Sequence, residues 1–356
     1  MDLQLLQRTL AEREQPAFRA RQVWAWAARG AGGYEQMTDL PASLRTLLAR
    51  ELPFSSLTLQ EEAVSRDGTI KALFATADGR PLEAVLMRYR DGRRSVCLSS
   101  QSGCPLTCTF CATGAMRFAR NLSASEIVDQ ALHFRRTEAI THCVFMGMGE
   151  PMMNLDAVLG ACELLPDLGV SNRHTTISTV GWIPGIERLA DTDAPIRLAL
   201  SLHAADDALR TQLMPVNERY PLVDVIDACR TFYARKRRRV FIEYVMLAGV
   251  NDRYEQALAL ARLLAGSAAG PRPAAGRVRQ DRPAQAFKVN LIPFNPTGSS
   301  YRGSGRDAIE AFRAALAEHG VPVTVRLTRG RDIAAACGQL AATTPTAPGA
   351  LAGTGA

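Results

Sequence analysis

The chain runs to 356 residues with 47% hydrophobic and 22% charged content, enough to bury the core of one large domain and a small one. No apolar stretch approaches the roughly 20 residues of a membrane helix and no charged-then-apolar leader opens the sequence, so membrane spanning and export are disfavoured and a cytoplasmic location is expected. A net charge of +7 points to an anionic partner, and eight cysteines in a reducing compartment read as metal-binding, catalytic or inert thiols, not as a disulfide framework.

Residues 1–52 read as a small helical domain carrying Arg19, Arg21, Arg29, Arg45 and Arg50, and 53–89 as a β-rich connection. Over 90–330, apolar strand-like runs alternate with amphipathic helical ones. Strands are predicted at 95–99, 140–146, 174–179, 196–202, 240–247 and 287–293, with helical patterns such as 184–191, 222–233 and 254–265 between them. Ser123 followed by Glu126 predicts a capping box at the head of a further helix. The fold class is therefore α/β, a partial (β/α)6 barrel with a small N-terminal helical accessory domain, and barrels gather their chemistry at the C-terminal ends of the strands. The run Arg235, Lys236, Arg237, Arg238, Arg239 reads either as a solvated helix end or, together with the N-terminal arginines, as a nucleic-acid contact. Cys162 and Cys229 sit in apolar helical patterns and read as inert. Residues 266–286, rich in Pro, Ala, Gly and Arg, predict a flexible insertion, and 342–356 a disordered tail after a short segment at 331–341.

The stretch GCPLTCTFCATG places Cys104, Cys108 and Cys111 in a CxxxCxxC triplet on the loop after the first predicted barrel strand. Three thiolates there suit three irons of a 4Fe-4S cluster and leave the fourth iron open to a small chelating ligand, because the next cysteine, Cys143, lies beyond a helix. Two other readings are a structural zinc site, which calls for a closed set of four ligands, and buried thiols with no metal role. Other polar signatures fall at the same rim. The second strand runs into Gly147-Met148-Gly149-Glu150-Pro151, the third into Ser178, the fourth into Ser201-Leu202-His203 and the sixth into Asn295. Glycines there allow close backbone approach to a ligand, and Glu150 accepts hydrogen bonds from an ammonium or ribose.

The triplet resembles that of the radical S-adenosylmethionine (SAM) superfamily. The stretches PAFRARQVWAW, SQSGCPLTCTFCATG, VFMGMGEPMMN, ISTVGWIPGIERLA, LALSLHA, KVNLIPFNP and ACGQL, spread over about residues 3–341, closely resemble the RlmN family of RNA methyltransferases. The resemblance implies methylation of adenosine carbon 2 in 23S rRNA and tRNA, a 4Fe-4S cluster and SAM as cofactors, an external electron donor and a monomer. It implies cluster ligation by Cys104, Cys108 and Cys111, and SAM binding by Gly149, Glu150, Ser178, Ser201, Leu202, His203 and Asn295. Cys337 is implied as methyl carrier, Cys97 as its resolving partner through a transient disulfide, and Glu83 as proton acceptor, with one extra residue between Glu83 and Cys97. Residues 1–52 would help dock RNA.

The chain departs from the family pattern RGDDIDAACGQL by reading RGRDIAAACGQL, so Arg331 and Ala334 stand where acidic residues are usual. The field around Cys337 is then more positive, which favours a thiolate or adapts the loop to RNA phosphate. Three rival functions stay open at this level: methylation of adenosine carbon 8, a radical SAM enzyme acting on a small molecule, and a noncatalytic zinc-bearing RNA-binding module.

Overall fold

Three helices open the chain: α1 (Leu3–Glu12), α2 (Phe18–Arg29) and α3 (Ala42–Glu51). Asp2 caps α1 by accepting from the Gln4 and Leu5 amides, and Gly30, at φ 105°, ends α2 in the left-handed conformation that glycine adopts most readily. Leu6, Val23, Trp24 and Leu48 from these helices join the same buried cluster as the sheet, and Trp24 Nε1 donates to Asp167 at 2.6 Å. The computed structural model describes residues 1–266 and 286–342; the predicted insertion and tail lie almost wholly outside the described residues.

The β-rich connection resolves into β1 (Leu57–Val64), β2 (Ile70–Thr76) and β3 (Pro81–Arg88), which with β4 (Arg94–Cys97) form an antiparallel meander. From β4 onward the pairing is parallel, through β7 (His142–Phe145), β8 (Thr175–Thr179), β9 (Arg197–Ser201), β10 (Val240–Met246), β11 (Phe287–Pro293) and β12 (Val323–Val325). All belong to one ten-stranded sheet in the order β1-β2-β3-β4-β7-β8-β9-β10-β11-β12, with β1 and β12 as edges. Strands that follow chain order along the sheet are what a partial barrel requires. The six predicted strands are all present. The parallel strand that sequence reading missed, β12, is three residues long, too short for an alternation to show.

The crossovers carry α4 (Ala124–Arg135), α5 (Leu155–Leu164), α6 (Ile183–Asp191), α8 (Leu222–Lys236), α9 (Tyr254–Ala265) and α10 (Arg306–Glu318), while a short α7 (Asp207–Leu213) follows β9. Covered strands are buried on both sides even where they carry polar residues: β8 (TTIST) is buried throughout, as is most of β10. Among the described residues no helix is long and apolar enough to cross a membrane.

Two short strands, β5 (Gln101–Ser102) and β6 (Arg120–Asn121), pair antiparallel and close the base of the triplet loop. Gly103 takes φ 74° there, and a Cβ on it would come 2.4 Å from the Arg117 carbonyl, so the neck of the loop admits no side chain. The chain then enters α4 through the predicted capping box: Ser123 Oγ accepts from the Glu126 amide at 3.2 Å and Glu126 accepts from the Ser123 amide at 2.8 Å. Ser123→Ala should lower stability by about 1 kcal/mol in chemical denaturation. A loss under a few tenths would show that packing alone holds the start of α4.

Candidate active site

The C-terminal ends of the parallel strands surround one cavity. It is lined by the triplet cysteines, by Gly149 and Glu150 after β7, Ser178 at the end of β8, Ser201 and His203 at and after β9, Glu243 on β10, and Arg326 and Cys337 near the C-terminus. A second cavity adjoins it, lined by Cys97, Asn295, Arg326 and Cys337 together with Met87, Tyr89 and Cys111. Cys337 and Arg326 face both. The sequence-predicted set is thus brought together except for two members. Leu202 has its side chain in the apolar core, its amide on the Glu243 carbonyl at 3.0 Å and its carbonyl on Arg210. Glu83 lines neither cavity: it is buried on β3 against Lys71, Nζ to Oε1 2.8 Å.

Each rim residue is fixed by local geometry. Glu150 accepts from the Met152 amide at 3.0 Å and the Val180 amide at 2.9 Å, yet burial pushes its carboxyl up to about 7. His203, at φ 60°, accepts through Nδ1 from the Val245 amide at 3.0 Å, and burial followed by the charge of Arg210 pushes it down to about 3. A neutral ring that accepts at Nδ1 carries its proton on Nε2, leaving a donor for a ligand. Ser178 and Ser201 hydroxyls lie 3.3 Å apart. The glycines of the GMGEP stretch approach the neighbouring chain more than a ligand. A Cβ on Gly147 would come 2.8 Å from the Leu98 carbonyl, and one on Gly149, at φ 96°, would come 2.5 Å from Gln101 Cβ.

Sequence reading missed Arg210, Glu243 and Arg326. Arg210 is fully buried and donates to the Leu202 carbonyl at 3.1 Å, to Asn217 Oδ1 at 2.7 Å and to the Val180 and Ser201 carbonyls, tying together the loops after β8 and β9. Burial lowers it to about 10, so it stays charged. Glu243 takes a bond from Asn290 Nδ2 at 2.8 Å and one from Arg326 at 3.3 Å. A lone carboxylate inside the apolar run VFIEYVM was the signal available for it. Arg326 is held in its charged form first by Cys337.

The donor set fits an iron-sulfur cluster and a chelating ligand on several counts. The three triplet cysteines line one wall, and burial pushes Cys104 up to about 12 and Cys108 well above its ordinary value, so they become thiolates only against a compensating positive charge. Asn295 Oδ1 is buried with no partner, an acceptor left for a ligand. Among the described residues no three His, Cys, Asp or Glu side chains are grouped to hold a single metal ion, which disfavours the zinc reading. All eight cysteines are free, so the disulfide implied between Cys97 and Cys337 is not formed here: Cys97 is a buried thiol, pushed up to about 12 by burial and then by Cys337.

The basic run 235–239 sits at the end of α8 and just before β10, at the N-terminal end of that strand, whereas the cavity lies at the C-terminal ends. Arg235 pairs with Asp191, and Lys236 reaches the Thr192 hydroxyl at 3.3 Å and the Ala194 carbonyl at 3.4 Å. Arg331 turns its guanidinium to the Phe294 carbonyl at 3.3 Å.

A three-cysteine loop over the C-terminal rim of a parallel sheet defines a radical SAM protein, and the model of the radical SAM superfamily matches residues 98–261. A "Probable dual-specificity RNA methyltransferase RlmN" from Chloroflexus aurantiacus is 47% identical over 92% of this chain and 88% of its own length. The "Dual-specificity RNA methyltransferase RlmN" of Geobacter sulfurreducens is 42% identical over 94% and 89%. The crystal structure of a radical SAM methyltransferase from Sphaerobacter thermophilus superposes with a TM-score of 0.86 at 42% identity, covering 96% of this chain and 98% of that one. The chain belongs to the RlmN family of dual-specificity RNA methyltransferases.

Arg210→Met should lower stability by about 3 kcal/mol in chemical denaturation, because it strips buried carbonyls of their donor. A change within about 0.5 kcal/mol would mean the rim loops hold themselves.

Proposed function

We propose that this protein methylates carbon 2 of adenosine in 23S rRNA and tRNA by relaying the methyl group through Cys337. The observation that carries this reading is that Cys337 lines both the rim cavity and the cavity of Cys97. One sulfur therefore faces a methyl source on one side and a second thiol on the other. Cys104, Cys108 and Cys111 would hold a 4Fe-4S cluster, and Gly149, Glu150, Ser178, Ser201, His203 and Asn295 would hold SAM, with Leu202 contributing through backbone position only.

Carbon 2 of adenine is electrophilic and offers no acidic proton, so polar attack on SAM's methyl group is not available to it. When bound, the cluster, charged by an external electron donor, and SAM supply the methyl group and a hydrogen-abstracting radical. The Cys337 thiolate would take the methyl from SAM's sulfonium, which leaves as a neutral thioether, and Arg326 lines the same two cavities as Cys337. The methyl carbon, once it has lost a hydrogen atom, would bond to carbon 2; the carbon 2 hydrogen then leaves as a proton and the odd electron passes back to the redox partner that charged the site, so that RNA is tied to Cys337 through an S–CH2–C2 link. Cys97, the thiol sharing the second cavity, then attacks the Cys337 sulfur. The carbon–sulfur bond breaks with its electron pair going to the base's methylene, which takes a proton to become methyl, and a Cys97–Cys337 disulfide is left for an external reductant.

RNA has a route to this cavity over a shallow groove beside it, where Arg302, Arg306 and Arg331 surround Leu327, which is 78% exposed. Exposed Arg21 and Arg29 on α2, with Phe18, are further phosphate contacts for an RNA-docking N-terminal region. Arg302→Ala and Arg306→Ala should each flatten the salt dependence of RNA binding by about one unit of slope. An unchanged slope in both would place the RNA path elsewhere.

The reaction is tested by anaerobic reconstitution with iron and sulfide, then incubation with labelled SAM, reductant and transcribed RNA, followed by nucleoside analysis. Methyl on carbon 8, or none, overturns the carbon 2 assignment. Cys97→Ala should load methyl onto Cys337 and stall as a covalent protein–RNA species, seen as a ribonuclease-sensitive slow band on a denaturing gel. Cys337→Ala should give neither methyl loading nor that band while the cluster absorbance persists. Normal turnover by either variant would end the relay reading.

A further inference from the structure

Lys71 and Glu83 form a buried ion pair on the face of the β1–β3 meander that meets the Cys337 segment. Lys71 lies opposite Val85 and Glu83 opposite Leu73 in the β2–β3 register, so the two are diagonal neighbours on one face. Their side chains are 5% and 1% exposed, and Nζ to Oε1 is 2.8 Å, though not with the alignment of a good hydrogen bond. Such a pair gives little net stability, and removing one partner is costly, so its presence asks for another reason.

The remaining contacts of the pair supply that reason. Lys71 Nζ reaches the Ala334 carbonyl at 3.4 Å, and Glu83 Oε2 accepts from the Ala341 amide at 2.9 Å and the Ala342 amide at 3.0 Å. These points bracket Cys337 on both sides. They fall at strained backbone: Ala334 has φ 51° and Ala342 φ 49°, left-handed positions that alanine holds only where its surroundings impose them. The turn between β1 and β2 continues the same grip, with Ser65 Oγ donating to Asp332 at 2.5 Å and the Gly330 amide to Asp67 at 3.1 Å.

We infer that the Lys71–Glu83 pair is a positioning clamp, which holds the segment 334–342 so that Cys337 stays at the junction of the two cavities. In the clamp Glu83 acts through the backbone it anchors. The inference rests on the reading of Cys337 as methyl carrier and adds the device that aims it.

Two double variants separate the alternatives, since both remove the buried charges together and neither keeps a carboxylate. Lys71→Met with Glu83→Gln keeps an oxygen for the two amides; Lys71→Met with Glu83→Leu does not. Hydrogen exchange on the reconstituted holoenzyme should show the Ala341 and Ala342 amides near wild type in the Gln double and about tenfold faster in the Leu double. Methyl loading of Cys337 from labelled SAM should survive in the Gln double and fall about tenfold in the Leu double. Equal exchange in the Leu double and wild type would overturn the clamp. So would two doubles that load methyl normally and stall alike as the RNA-linked species, the outcome expected of a lost proton acceptor. Exchange needs no RNA and no turnover, so a wild-type enzyme that never loads Cys337 would refute the relay while leaving the exchange result to judge the anchoring.

Discussion

The site depends on a backbone contact between two segments far apart in sequence. The Ala112 amide, next to the last triplet cysteine, donates to the Gly338 carbonyl at 2.8 Å, and Thr113 Oγ1 donates to the Leu340 carbonyl at 2.5 Å. One main-chain bond and one side-chain bond thereby join the cluster loop to the Cys337 segment. A main-chain bond does not depend on rotamers, so on the relay reading it can hold Cys337 to the tolerance that chemistry at a sulfur demands. Thr297 adds a third tie by donating to the Phe110 carbonyl at 3.0 Å, and Gln339 a fourth by donating to the Pro296 carbonyl at 2.9 Å.

Around that contact the rim works by desolvation. His203 is driven neutral, Glu150 is pushed toward neutrality, and the Cys104 and Cys108 thiols are pushed up, all by burial first. A pocket that penalises its own charges so heavily is poised for a ligand that brings charges of both signs in fixed places. Arg210 keeps its charge in this environment because it has carbonyls on several sides, and its role is to fix the wall. The same logic explains why the antiparallel meander is there at all: β1–β3 widen the sheet and give the C-terminal segment a surface to lie on.

The parts of this arrangement that sequence revealed are those set by local rules. The apolar strands, the Ser123 capping box and the CxxxCxxC spacing are each readable within a dozen residues, and all three appear in the fold. The resemblance named further residues that the structure brings to the two cavities, with Leu202 turned into the core and Glu83 outside both. What stayed hidden was set by tertiary pairing. Lys71 and Glu83 alternate with apolar neighbours in unremarkable strands, and nothing local says that they face one another or reach a loop at the far end of the chain. Arg210 reads as an ordinary amphipathic helix residue. The run at 235–239 forms the end of α8, where Arg237 at φ 54° terminates the helix ahead of β10; its charge density alone did not say which partner it meets.

Keeping Cys97 at about 12 has a consequence for the order of events. On the relay reading, a free Cys97 thiolate would be a hazard, since it could itself take the methyl from SAM in place of Cys337 before RNA was engaged. Burial prevents this by holding Cys97 as a thiol, a poor nucleophile whatever its distance from Cys337. On that reading its proton must leave before it can attack, and it can pass to the base's methylene, which takes a proton as the carbon–sulfur bond breaks. Arg326 lowers the barrier at that moment, because its charge acts on Cys97 as well as on Cys337. On the relay reading, desolvation is thus a timing device: it keeps the second cysteine silent until the substrate supplies the chemistry that wakes it. Titration of Cys97 near neutral pH in the resting holoenzyme, followed by its rate of alkylation, would contradict this, for the thiolate would then be present before RNA arrived.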